Sequence, residues 1–200
     1  MKIMRVSLNK YLLVLLLLIL GCGGGRKLAK NPQPIGFVPF TSANVAGAPE
    51  DINSQLVRAI QSSGILILHP VDSIPGFWNL AQMQVVKDSA AQWVVTGRVD
   101  YENQAPEKGS KIPFLLNKPG SAISVKITYR LYNREKGGWA DIGEIVVKKK
   151  KPGDYQLLEY NPADPSLSLN ARERQLLRDA VYQEAANKLL KQIAKKMKIK

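Results

Sequence analysis

The single cysteine of this 200-residue chain, Cys22, is the residue whose type and position most clearly predict chemistry. It closely follows the unbroken apolar run Tyr11–Leu20, and the residues before that run include Lys2, Arg5 and Lys10 but no acid. A basic stretch followed by a short apolar stretch is typical of an export signal. The apolar run is too short to span a bilayer, which takes about 20 residues. A thiol at this point is therefore placed to react close to a membrane.

The stretch Ile19-Leu20-Gly21-Cys22 resembles the bacterial lipobox. In that motif the thiol is diacylated, the signal is cut off before the cysteine, and the new α-amine is acylated. The resemblance implies a signal peptide over residues 1–21 and a lipid on Cys22, with each buried CH₂ contributing about 0.8 kcal/mol to anchoring. Gly23 follows the cysteine instead of Asp, which in the resembled system implies sorting to the outer membrane. The alternative is a secretory signal or tail anchor with an incidental cysteine.

The rest of the chain predicts a tether and one domain. Residues 22–34 are rich in Gly, Pro and Lys, and they predict a flexible, lipidated tether that reaches at most roughly 40 Å. Residues 35–200 are sufficient for a single α/β domain with its own core. The net charge of +13 becomes +10 once the three cations of the signal are removed. This favours anionic lipid, lipopolysaccharide or an acidic polymer as partner, unless the charge serves only solubility; nucleic acid is disfavoured because an exported protein rarely meets it.

Few residues remain from which a catalytic site could be built. The one histidine, His69, stands beside Pro70 at a predicted strand end, and the sequence has no G-x-S-x-G turn. Gly23–Gly25 has no predicted strand before it or helix after it, so it is not a phosphate loop. Metal-ligand spacing is absent, and acylation of Cys22 would leave no thiolate ligand. We predict a protein that is not an enzyme, with no metal and no cofactor apart from the lipid on Cys22.

The hydrophobic pattern predicts alternating strands and helices followed by a strand pair and a closing helix. The closing helix is opened by Asn170 and Glu173 in a capping-box spacing. Glu102–Ala122 and Tyr155–Leu169 predict loops. The predicted elements, in order, are strand Ile35–Phe40, helix Pro49–Ser63, strand Ile65–Leu68, helix Leu80–Ala91, strand Trp93–Tyr101, strand Ile123–Arg134, turn Glu135–Gly138, strand Trp139–Lys148 and helix Asn170–Met197.

Two groups of residues are candidates for binding. The apolar stretch Ile112–Leu116 lies in the first predicted loop and predicts either a flap packed on the core or an exposed tip that meets lipid or a partner. Its candidate contacts are Ile112, Phe114, Leu115 and Leu116. The strand pair predicts one basic, polar face, whose candidates for phosphate contact are Lys126, Arg130, Lys148, Lys149, Lys150 and Lys151. A solvated strand end is the alternative for the lysine run. The lysines that end the closing helix suit its dipole, and they also suit an anionic membrane.

Three short motifs and the order of the elements resemble known envelope lipoproteins. Ile35–Phe40 (IGFVPF), Ser63-Gly64 and Ala91–Val99 (AQWVVTGRV) are similar to the periplasmic domain of the curli-export lipoprotein CsgG, the amino-terminal domain of TolB, and LpoB. The lipopolysaccharide-assembly lipoprotein LptE is a second resemblance, through its lipidated Gly-Cys-Gly start and basic closing helix. The resemblance implies a two-layer α+β fold, anticodon-binding-domain-like, with helices on one face of a mixed four- to five-stranded sheet.

Together, these patterns predict a non-enzymatic lipoprotein that is anchored to the outer membrane and faces the periplasm. Its expected role is that of an accessory factor in envelope assembly, export or regulation, acting through contacts with a partner protein. The alternative is lipopolysaccharide assembly, in which the basic residues hold phosphates and Ile112–Leu116 meets acyl chains or a β-barrel partner. A third alternative is a structural envelope protein of high copy number with no specific partner.

Overall fold

A computed structural model describes residues 31–42, 44–71, 91–112, 116–157 and 160–199. Cys22, the predicted signal, nearly all of the predicted helix Leu80–Ala91, and Phe114 and Leu115 lie outside the described residues. The described elements are β1 Gln33–Phe37, β2 Thr41–Ser42, α1 Ala48–Ser63, β3 Leu66–Pro70, β4 Trp93–Ile112, β5 Leu116–Asn133, β6 Gly138–Pro152, β7 Gln156–Leu157 and α2 Ala171–Lys196, with a 3₁₀ turn at Pro165–Leu167.

The strands of the described chain form one mixed sheet in the order β3-β1-β4-β5-β6, with β2 beside β4 and β7 beside β5. Strand β1 runs parallel to β3 and β4, whereas β4, β5 and β6 are antiparallel neighbours. The main core lies between this sheet and the two helices. This confirms the predicted α+β fold with a mixed sheet and helices on one side.

Alternation along β5 decides which side of the sheet is covered. Every second side chain, from Ile123 to Leu131, is buried against the helices. Helix α1 contributes Ile52, Leu56 and Ile60 to the same core, and α2 contributes apolar residues at helical spacing. Each fully buried Leu, Ile or Val side chain stabilises the fold by about 1.5–3 kcal/mol relative to exposure. The helices are therefore held to this one face by the pattern of apolar residues.

Local signals set both ends of α1 and the start of α2. Gly47 and Gly64 flank α1, both with positive φ (73° and 65°), a conformation that glycine adopts without steric cost. At α2 the Asn170 side chain accepts a hydrogen bond from the Glu173 N–H, and the Glu173 carboxylate accepts one from the Asn170 N–H. The capping box predicted from these two residues is confirmed.

The prediction of a long loop at Glu102–Ala122 is wrong, because this stretch forms the outer part of a β-hairpin. Strands β4 and β5 pair from Trp93↔Asn133 out to Ile112↔Leu116. Pro106 and a register shift between Glu107 and Ser110 disguise the pattern in the sequence. Within the predicted loop Tyr155–Leu169, the structure forms β7 and the 3₁₀ turn, while β3 continues through His69 and Pro70.

Candidate functional site

Strands β4, β5 and β6 present a second face, away from α1 and α2, that we call the open face. The strand register places on it Arg98, Tyr101, Asn103, Lys126, Thr128, Arg130, Ile142, Glu144, Val146, Lys148 and Lys150. Tyr101, Ile142 and Val146 are 41%, 56% and 53% exposed, so large apolar side chains stand among the charged groups of this face. Tyr101, Lys126 and Val146 are register partners, so they form a row across the three strands.

The charged groups of the open face are largely paired with one another. Asp100 sits at a bulge in β4 and accepts hydrogen bonds from Arg98 Nε at 2.9 Å and from Thr128 Oγ1 at 2.5 Å. Lys126 Nζ lies 2.8 Å from the Glu144 carboxylate, and this hydrogen bond raises the pKa of Lys126. These residues line a shallow depression of about 370 Å³. The surface is therefore polar at its centre, with apolar side chains around the pairs.

The structure divides the six predicted phosphate contacts between the two faces of the sheet. Lys126, Arg130, Lys148 and Lys150 lie on the open face, whereas Lys149 and Lys151 point towards α2. The prediction of one shared basic face is wrong, because consecutive residues of a strand point to opposite sides. Several of these cations have acidic partners: Lys148 pairs with Glu107, Lys149 with Glu184 and Lys151 with Glu173. Phosphate contact by these residues stays a prediction.

A partly buried polar cluster joins the hairpin to both helices. Glu102 of β4 accepts hydrogen bonds from Arg178 Nε at 3.0 Å and from Tyr182 Oη at 2.7 Å. Asp51 of α1 lies 3.1 Å from the same guanidinium nitrogen, and Arg178 also donates to the Ala46 carbonyl. Burial raises the pKa of Asp51 despite the adjacent guanidinium, and burial raises the pKa of Tyr182 as well. The sequence analysis missed this cluster, because Glu102 is 76 and 80 positions away from Arg178 and Tyr182 along the chain.

The other candidate residues lie apart from this cluster. Ile112 and Leu116 are backbone partners at the outer end of the β4–β5 hairpin. This end of the hairpin is the one farthest from the β5–β6 turn. His69 lies in β3 at the opposite edge of the sheet from β6. No group of three His, Cys, Asp or Glu side chains within the described ranges is arranged to hold a metal ion. Neither helix described in the structure is long and apolar enough to cross a membrane.

Comparison with known proteins shows the fold. No protein-family model and no curated protein matches the sequence. The hypothetical protein CT253 from Chlamydia trachomatis has a TM-score of 0.51 and 10% identity, over 82% of this chain and 96% of that one. A DUF330 protein from Xanthomonas campestris also has a TM-score of 0.51, with 8% identity over 86% and 89% of the two chains.

A more distant similarity is to a minor lipoprotein from Acinetobacter baumannii, with a TM-score of 0.42 and 10% identity over 81% of this chain and 92% of that one. The two similarities with a TM-score of 0.51 show the arrangement of strands and helices alone, and fold does not determine function.

Proposed function

We propose that this chain is a lipid-anchored protein of the bacterial envelope, facing the periplasm from the outer membrane, that acts as a non-enzymatic accessory factor by binding a partner protein. The lipobox-like sequence ending at Cys22 supports the anchor. The observation that supports protein binding is the open face, where three large apolar side chains stand exposed between charges that already have partners.

The composition of the open face suits a protein partner better than a phosphate. Pairs such as Lys126–Glu144 are satisfied within the chain, so a partner can cover them without leaving an isolated charge in the interface. Tyr101 and Val146 offer apolar area on either side of that pair, and tyrosine is enriched in protein interfaces. A phosphate group would instead have to compete with Glu144 for Lys126 and with Glu107 for Lys148.

The resemblance to CsgG, TolB and LpoB, and the alternative of an LptE-like role in lipopolysaccharide assembly, stay predictions of the sequence. Ionic strength separates the two modes of binding. Contact with phosphates weakens as salt screens the lysines, whereas an interface centred on Tyr101, Ile142 and Val146 is nearly insensitive to salt.

The anchor and the partner surface are tested separately. Metabolic labelling with palmitate is expected to mark the wild-type chain and to be lost in Cys22→Ser; labelling that persists in this variant would overturn lipidation at Cys22. For the open face, a photo-crosslinking amino acid at Val146 is compared in intact envelopes with one at Leu176, which is 60% exposed on α2. We expect a discrete adduct from position 146 that is retained in high salt and lost in Tyr101→Asp. Equal adducts from both positions would overturn the open face as the binding surface.

A further inference from the structure

The register of the sheet brings the start of the described chain and the end of α2 to the same end of the domain. Ile35 of β1 is the parallel partner of Trp93, and Trp93 is the antiparallel partner of Asn133. Residues 31–33 therefore lie at the same end as the turn between β5 and β6. Helix α2 runs antiparallel to β6, because Glu173 near its start pairs with Lys151 and Lys196 at its end pairs with Asp141. We call this end, formed by residues 31–33, 134–137 and 191–199, the anchor end.

The anchor end is strongly basic. Helix α2 has no acid after Glu184, while lysines continue at positions 188, 191, 195, 196 and 198. Lys188 pairs with Glu184, and Lys196 pairs with Asp141. Lys191, Lys195 and Lys198 are exposed and have no acidic partner in the part of the chain that the structure describes. The turn adds Arg134 and Lys136 against the single acid Glu135.

The length of the tether limits how the domain can sit on a membrane. The twelve residues from Cys22 to Gln33 span at most about 40 Å when fully extended. The eighteen residues of β5 extend over roughly 60 Å from the anchor end to the outer end of the hairpin. The tether is therefore too short for a lipid on Cys22 to reach the outer end of the hairpin. Arg26, Lys27 and Lys30 add further positive charge within the tether itself.

We propose that the anchor end rests on the anionic phosphate head groups of the same leaflet that holds the Cys22 lipid, with Lys191, Lys195 and Lys198 in contact with them. The β4–β5 hairpin and the open face then project away from that bilayer. This inference rests on the proposed lipid anchor. The tether keeps the anchor end within reach of the surface, where attraction to anionic lipid acts over about one Debye length, roughly 8–10 Å at physiological salt. Charge complementarity and the point where the tether joins the domain thus select the same orientation.

The test measures orientation with the full-length, lipidated chain in vesicles. Because the acylated Cys22 leaves no free thiol, a cysteine introduced by Glu135→Cys at the anchor end, or by Tyr155→Cys near the other end of the sheet, can be labelled specifically with a fluorophore. The vesicles contain phosphatidylcholine alone or with 30% phosphatidylglycerol, plus a lipid with a nitroxide on its head group. We expect strong quenching at position 135 and weak quenching at 155, only in the anionic vesicles.

Two double variants that remove the same charge at different places test whether the lysines of the anchor end contact the head groups. Lys191→Gln with Lys195→Gln is expected to lower the ratio of surface-bound to detached orientations by about fivefold for each lysine removed. Lys108→Gln with Lys118→Gln removes the same charge from the hairpin and should leave quenching at position 135 unchanged. Equal quenching at both labels, no dependence on anionic lipid, or equal effects of the two double variants would overturn the proposal. Failure of the anchor itself would be distinguished by release of the protein from the vesicles in a high-salt wash.

Discussion

Tyr182 Oη donates a hydrogen bond of 2.7 Å to Glu102 Oε2, linking the middle of α2 to β4 where the tyrosine is fully buried. Arg178, one helical turn earlier, donates to the same carboxylate oxygen. These contacts fix the long hairpin relative to the helices, because Glu102 lies near where the hairpin leaves the main core.

Removing the Tyr182 hydroxyl is expected to destabilise the fold. Tyr182→Phe should lower the free energy of unfolding by about 1–3 kcal/mol, because a hydrogen bond to a charged group is lost and a carboxylate oxygen loses a partner. Urea unfolding followed by circular dichroism measures this change. Tyr101→Phe is the matched control, since Tyr101 is the adjacent residue of β4 and lies 41% exposed on the open face. An equal effect of the two substitutions would contradict the importance of the buried hydroxyl.

Asp141 is expected to make the stability of the fold fall at low pH. Burial alone would raise its pKa, but hydrogen bonds from Lys196 at 2.7 Å and Tyr129 at 2.8 Å outweigh burial and hold the pKa below its ordinary value. The folded chain therefore keeps this carboxylate ionised at a pH where the unfolded chain binds a proton. Its stabilising contribution is present above about pH 4 and is lost as the pH falls through the lower, folded pKa.

The corresponding variant is Asp141→Asn, measured by urea unfolding between pH 3 and pH 7. At pH 7 it should lower the free energy of unfolding by about 1–2 kcal/mol, since two hydrogen bonds to a carboxylate are weakened. The difference from wild type should shrink below pH 4. Asp154→Asn, at an exposed position between β6 and β7, serves as the control. A difference that stays constant across the pH range would rule out the carboxylate as its source.

Gly97 is required by the close packing of Phe40. A Cβ at position 97 would overlap the Phe40 ring, which is buried between β4 and α1. Gly97→Ala is expected to lower the free energy of unfolding by about 1–3 kcal/mol through overpacking. Gly138→Ala, whose Cβ would have its nearest neighbour at 4.0 Å, should be nearly neutral. Adding Phe40→Leu to Gly97→Ala should cost less than the sum of the single changes; strict additivity would show that the two residues do not compete for space.

The cap of α2 gives a prediction independent of the core. Asn170→Ala removes the side chain that accepts the Glu173 N–H, and it should lower stability by about 1 kcal/mol in thermal or urea unfolding. Asn187→Ala is the control, because Asn187 is exposed in the interior of the same helix, where alanine is the better helix former. Equal destabilisation by both variants would indicate a general effect of losing an asparagine.

The parts of the fold that could be predicted from the sequence are those with strong local signals. Helix α2 follows from its capping box and from apolar residues at helical spacing, and the turn before β6 follows from its glycines. Gly137 has a positive φ of 62° in that turn, as such a sequence favours. These signals lie within a few residues of the structure they specify.

The outer hairpin and the polar cluster around Glu102 could not be predicted in the same way. Proline at position 106 and the bulge near Gly109 interrupt the alternation on which a strand prediction depends, although pairing with β5 still holds the segment. Arg178 and Glu102 meet only after the sheet and helices have packed, and nothing near either residue in the chain indicates the other. The division of Lys148–Lys151 between two faces, by contrast, could have been predicted, because successive side chains of a strand point to opposite faces.

The four consecutive lysines have a consequence for self-association. Strand β6 is an outer strand, and along its 15 residues no further strand of the described chain covers it. Such an edge is a template for adding copies of itself, with neighbouring strands about 4.8 Å apart. In-register stacking would bring Lys148–Lys151 of each copy against the same four lysines of the next. Their repulsion, reduced where Lys148, Lys149 and Lys151 keep their acidic partners, opposes growth of a fibril. The four lysines that the sequence analysis proposed as phosphate contacts thus also oppose self-association at this exposed strand.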